Sequence, residues 1–176
     1  MANEQEATLK ALETALQMEI DGKEFYLKAS KASKNQLGKD LLKNLAAEED
    51  IHRQTFQDIY NTIKNKKGWP DKKYRGDGGQ SLRTVFAIAL KDMDKNVTSI
   101  EAELDAIRTG MDLENKTLDF YNGRSRQTSY TAEKQLYEAI AIQEGEHYRV
   151  LMDYYNFLQD PAQWFVNKEH TSVDGG

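Results

Sequence analysis

Leu9, Leu12, Leu16, Glu19 and Tyr26 fall on one stripe at spacings of three, four or seven, and mostly Lys, Glu, Gln, Asn and Ala occupy the positions between them. Such a stripe marks an amphipathic helix that packs on one face, and it predicts helix 1 over roughly 4–33. Asn35, Gln36 and Gly38 predict a turn. Helix 2 is expected over roughly 39–65, ending in Lys-Lys-Gly with Trp69-Pro70 beyond it. Residues 66–80 hold four Gly and one Pro, and so form a loop. Val85 to Met93 predicts a short helix inside a long connection. Thr98 and Glu101 match a capping box, so helix 3 is expected from near 98 to about 125. After a turn at 124–130, helix 4 is expected over 131–159, stopping at Asp160-Pro161. No strand pattern competes with these helices.

These elements predict an all-α protein: an antiparallel four-helix bundle with a long crossover between helices 2 and 3 that carries a short extra helix. The bundle is expected over 1–160 and an irregular tail over 161–176, with Trp164-Phe165 packing the tail on the bundle end.

Composition narrows the chemistry. A chain of 176 residues suits one domain. The absence of cysteine excludes disulfides, thiolate nucleophiles, iron–sulfur clusters and c-type haem attachment within these residues. A net charge of −5 argues against general nucleic-acid affinity. The polar, acidic start is unlike a secretory signal, and the longest apolar run, Val85 to Leu90, is too short to span a bilayer. A cytoplasmic protein with no membrane partner is expected. One basic cluster, Lys64, Lys66, Lys67, Lys72, Lys73 and Arg75, reads as a solvated loop, with docking of an acidic protein partner as the alternative.

The two halves of the chain resemble each other at a shift of 95 residues. Glu19 pairs with Glu114, Phe25-Tyr26 with Phe120-Tyr121, Ala46 with Ala141, Glu49 with Glu144, His52 with His147, and Tyr60 with Tyr155. The repeat keeps acids and histidines, not only apolar periodicity. Glu19 and Glu49 lie 30 residues apart, as do Glu114 and Glu144, and each pair straddles a predicted turn. In an antiparallel hairpin such residues lie at one height, about 22 Å from the turn. All four Glu then converge on one layer if the hairpins pack with their turns at the same end. His52 follows Glu49 by three positions and His147 follows Glu144 by three, so each imidazole shares a helix face with a carboxylate.

Four buried carboxylates need compensation. Two divalent cations supply it, and oxygen ligands with one imidazole per metal suit iron or manganese. The metal-ligand candidates are Glu19, Glu49, His52, Glu114, Glu144 and His147. Glu24, Glu48 and Glu146, beside them, read as solvated, and Tyr60 and Tyr155 as core. His170 reads as a surface histidine of the tail.

At these residues the chain resembles the rubrerythrin family of the ferritin-like superfamily, over helices 1–4. The motifs are Glu19 with Phe25-Tyr26, the run Ala-Ala-Glu-Glu-Asp-Ile-His ending at His52, Met-Asp-Leu-Glu at 111–114 with Asp-Phe-Tyr at 119–121, and Gln-Glu-Gly-Glu-His ending at His147. The resemblance implies two iron ions, with manganese as the alternative, and reduction of hydrogen peroxide or dioxygen. It makes Glu19, Glu49, Glu114 and Glu144 the catalytic carboxylates. It gives Tyr26 and Tyr121 a cofactor-binding role, their hydroxyls bonding ligand carboxylates. Typical rubrerythrins append a cysteine-ligated rubredoxin domain. With no cysteine here, electrons are expected from a separate donor such as a rubredoxin or flavoprotein, with the basic 64–75 loop as a candidate dock. A homodimer is the expected assembly. The family also places a further Glu where Thr117 stands, and the repeat mate of Thr117 is Gly22, so a more symmetric site is expected. Open coordination space and plain helix packing are both readings of that pair. Alternative functions are a ferroxidase or iron-handling protein, a manganese catalase-like protein, and a non-enzymatic metal-binding bundle.

Overall fold

The computed structural model describes residues 2–65, 68–70, 82–83 and 101–164. They form four long helices: α1 (Ala2–Ala32), α2 (Gln36–Lys64), α3 (Glu101–Gln127) and α4 (Thr131–Gln159). α1 packs along α2 and α3 along α4, and the two hairpins meet through α1 on α3 and α2 on α4. The protein is an all-α four-helix bundle.

Asn35 starts α2 as its N-cap, its side-chain oxygen accepting from the Gly38 N–H at 2.6 Å. Gln36 and Gly38 therefore lie in the first turn of the helix and not in the connection predicted for them. The same residue types serve turns and helix starts, and the capping bond decides between the two here. Beyond α4, residues 161–164 continue as a helical turn, and Trp164 packs edge-on to Phe157 with ring centroids 5.8 Å apart. The short helix expected over Val85–Met93, the Thr98 cap, Phe165, His170 and all of the basic cluster except Lys64 lie outside the described residues.

The two tight turns lie at opposite ends of the bundle, contrary to the condition set from the sequence. At one end Ser33 and Asn35, in the α1–α2 turn, donate to Glu103 near the start of α3, at 2.5 and 3.1 Å. Tyr154, near the end of α4, joins the same carboxylate at 2.8 Å. At the other end Thr8, near the start of α1, donates to Glu133 at 3.0 Å. Thr128 in the second connection and Arg124 in the last turn of α3 hold that carboxylate, at 2.6 and 2.8 Å. Hence α2 and α3 run parallel, and the connection between them must cross the full length of the bundle, roughly 43 Å for a 29-residue helix. That span explains its length. Leu82 anchors the crossover in the core, and Arg83 reaches Glu146 of α4 at 3.3 Å.

The apolar interior is divided in two. One cluster, with Leu41, Leu45, Ile107, Leu151 and Phe157, fills the end near Asn35. The other, with Leu12, Phe56, Leu136, Tyr137 and Ile140, fills the end near Glu133. Between them lies a buried polar layer.

Candidate metal centre

That layer contains the six side chains singled out by the repeat. Glu19, His52 and Glu144 are 0 % exposed, His147 1 %, and Glu49 and Glu114 2 %. The positions converge although the turns lie at opposite ends, because each Glu sits near the middle of its helix. A mid-helix residue keeps its height when a hairpin is reversed.

The contacts obey the repeat. His52 Nδ1 lies 3.0 Å from Glu144 Oε1 and 3.3 Å from Glu19 Oε2. His147 Nδ1 lies 3.1 Å from Glu49 Oε1 and 3.5 Å from Glu114 Oε2. The two imidazoles stack, with centroids 5.6 Å apart and planes 14° from parallel. Tyr26 donates to Glu114 and Tyr121 donates to Glu19, a reciprocal exchange between α1 and α3. Each tyrosine thus bonds one of the four converging carboxylates across the bundle.

Ligand atoms fall into two groups, each within a 4.8 Å spread: Glu19, Glu49, His52 and Glu144, and Glu49, Glu114, Glu144 and His147. Glu49 and Glu144 belong to both. Although buried, Glu19 Oε2, Glu114 Oε2 and Glu144 Oε1 accept no hydrogen bond. A buried carboxylate oxygen without a donor is costly, and a cation between the groups would satisfy all three. The donor set, oxygens with one imidazole in each group, fits iron or manganese.

Protons stand in for that charge in the electrostatics of the chain itself. Burial, reinforced by the charges of Glu49 and Glu144, pushes the Glu19 and Glu114 carboxyls well above the usual range. Burial acts the same way on Glu49, but hydrogen bonds from Glu19, His147 and His52 outweigh it and hold that carboxyl well below the usual range. Burial disfavours charge on the imidazoles, yet the nearby carboxylates win and raise both: Glu19 and Glu144 for His52, Glu114 and Glu49 for His147. Burial and the neighbouring carboxylates raise Tyr26 and Tyr121, which stay protonated donors.

Some residues stand elsewhere than expected. Tyr60 and Tyr155 pack half-buried against the edges of the two apolar clusters instead of inside them, with their hydroxyls at the rim: Tyr60 donates to Glu13 at 2.6 Å, and Arg108 donates to the Tyr155 hydroxyl at 2.6 Å. Glu146 is buried and paired with Arg149 and Arg83, where a solvated residue was expected. The sequence reading missed Gln143, whose side-chain oxygen lies 2.6 Å from His52 Nε2. Donation from Nε2–H to Gln143 turns Nδ1 toward the carboxylates. The one sequence signal is adjacency, since Gln143 directly precedes Glu144. None of the described helices is long and apolar enough to cross a membrane.

A family model described as Rubrerythrin matches residues 10–155. Comparison with curated proteins and with solved structures gave no match.

Proposed function

The chain belongs to the rubrerythrin family, a ferritin-like family that binds iron, and on that premise we propose that it reduces hydrogen peroxide at a pair of iron ions in its bundle core. The observation that carries this reading is the pair of overlapping ligand groups sharing Glu49 and Glu144. Glu19 and His52 would serve one ion, Glu114 and His147 the other, and the shared acids both. When bound, the two ferrous ions supply one electron each to cleave the O–O bond, with two protons, to two waters.

The remaining contributions are the chain's own. A cavity of about 190 Å³ between α1 and α3 reaches Glu49, Glu114 and Glu144, and Met18, Gly22, Leu113 and Thr117 line its approach. It offers a small substrate a route to the centre. The phenols of Tyr26 and Tyr121 hold Glu114 and Glu19 in orientation. The apolar clusters on either side keep water out and strengthen the electrostatics of the layer. Re-reduction is assigned to a donor such as a rubredoxin outside these 176 residues, none of which is a cysteine. A cytoplasmic homodimer is the proposed working form.

The test is anaerobic loading with iron(II) followed by stopped-flow mixing with peroxide or dioxygen. Peroxide is expected to oxidise the centre much faster, and a Glu49→Ala variant to lose the reaction. Faster oxidation by dioxygen, together with a hollow multi-subunit shell by size measurement, would favour iron storage instead.

A further inference from the structure

We infer that Thr117 and Gly22 make the two halves of the metal centre unequal, Thr117 as a positioning residue that pins Glu144 and Gly22 as a position that gives Glu49 no matching bond. This rests on the metal-binding reading above. The 95-residue repeat pairs Thr117 with Gly22 and Glu144 with Glu49. Both tyrosine–glutamate bonds, and the His52–Glu144 and His147–Glu49 contacts at 3.0 and 3.1 Å, are matched across the repeat, and His52 lies in addition 3.8 Å from Glu49. At this pair the match fails. Thr117, itself buried, donates its hydroxyl to Glu144 Oε2 at 2.7 Å. Gly22 offers Glu49 no donor. A Cβ built there would lie 3.5 Å from Glu49 Cγ and 3.6 Å from Oε2, which is ordinary van der Waals contact.

Both residues line the same cavity, so the contrast falls on the face open to a small molecule. There Glu144 Oε2 meets a hydroxyl, while Glu49 Oε2 finds no side-chain donor at Gly22 and lies 3.8 Å from His52 Nδ1. A carboxylate that accepts such a bond keeps its orientation, because the charged acceptor strengthens the bond. Glu49 receives no such bond from the position that matches Thr117. The other oxygens point the same way for both acids: Glu144 Oε1 faces His52 and Glu49 Oε1 faces His147. The oxygen bonded by Thr117 thus belongs to the group containing His147, and the matching oxygen of Glu49 to the group containing His52.

The test is cobalt(II) titration of the chelator-stripped full-length chain, followed by calorimetry and visible absorption. Two cobalt ions per chain are expected. Thr117→Val should weaken one of them by about tenfold or more, the usual effect of removing a partner of a ligating group, and alter its absorption band. The second ion should hold its affinity. Thr117→Ser, which restores the hydroxyl, should restore both affinity and band. Gly22→Ser, placing a hydroxyl beside Glu49, should shift the affinity of the other ion. Isotherms and spectra of Thr117→Val identical to those of the parent would overturn the inference while leaving the metal reading intact. So would Thr117→Ser behaving like Thr117→Val. Fewer than two cobalt ions bound by the parent chain would overturn both.

Discussion

Among the six converging side chains, Glu49 and Glu144 differ from the rest because each offers an oxygen to both ligand groups. Their removal should therefore have a different result from removal of Glu19 or Glu114. Glu49→Ala is expected to abolish binding of both ions, whereas Glu19→Ala should leave about one ion per chain. Metal analysis after loading and desalting checks this, and equal losses from the two variants would contradict it. The residue types and spacings of this set were legible in the sequence, because i to i+3 spacing on a helix and a 95-residue repeat are both local or periodic signals. Gln143 was not legible. It meets His52 across 91 positions, and no periodicity announces that contact. Tyr60 and Tyr155 misled for a related reason: their place in the repeat says nothing about the acid or guanidinium that draws each hydroxyl outward.

Helix positions and types followed from the apolar stripes, and the largest departures were at the ends. At the start of α2, Gly38 is required by close approach and not by a turn. A Cβ there would press on the Tyr154 hydroxyl, on Ser33 and on Glu103, the group that ties the α1–α2 connection to the ends of α3 and α4. Gly38→Ala is accordingly expected to destabilise the protein by about 1–3 kcal/mol, the range for overpacking, despite the better intrinsic helix propensity of alanine. A urea midpoint lowered in that variant checks the contact, whereas a raised midpoint would show that propensity prevails. The opposite end is tied through Glu133 and Arg124, so each tight turn is fastened to the helix ends of the other hairpin. This cross-fastening sets the hairpins head to tail and obliges the crossover to run the length of the bundle.

For the molecule as a whole, a charged layer between two apolar clusters links stability to protons and metal. Four of its groups, Glu19, Glu114, His52 and His147, bind protons more strongly when folded than when unfolded, and Glu49 opposes them. A raised value means stability that is fully present below the unfolded pKa, about 4.3 for Glu and 6.5 for His, and is lost as pH rises toward the folded value. The chelator-stripped protein should therefore melt at a lower temperature at pH 8 than at pH 6. Iron(II) or cobalt(II) takes the place of those protons and binds better as they leave, so the loaded protein should show a weaker or reversed dependence. Calorimetric melts at both pH values decide this, and a stripped protein that is more stable at pH 8 would count against it.

The sequence by itself determined four helices, their order, the two hairpins, and six residues placed at mid-helix on inward faces, because helical periodicity and a repeat are written along the chain. Only the tertiary structure decided that the turns point in opposite directions, that Gln143 orients His52, and that Thr117 and Gly22 treat matching carboxylates differently. Each of those depends on which side chains meet between helices, and that is settled by packing two hairpins against each other rather than by the pattern within either one.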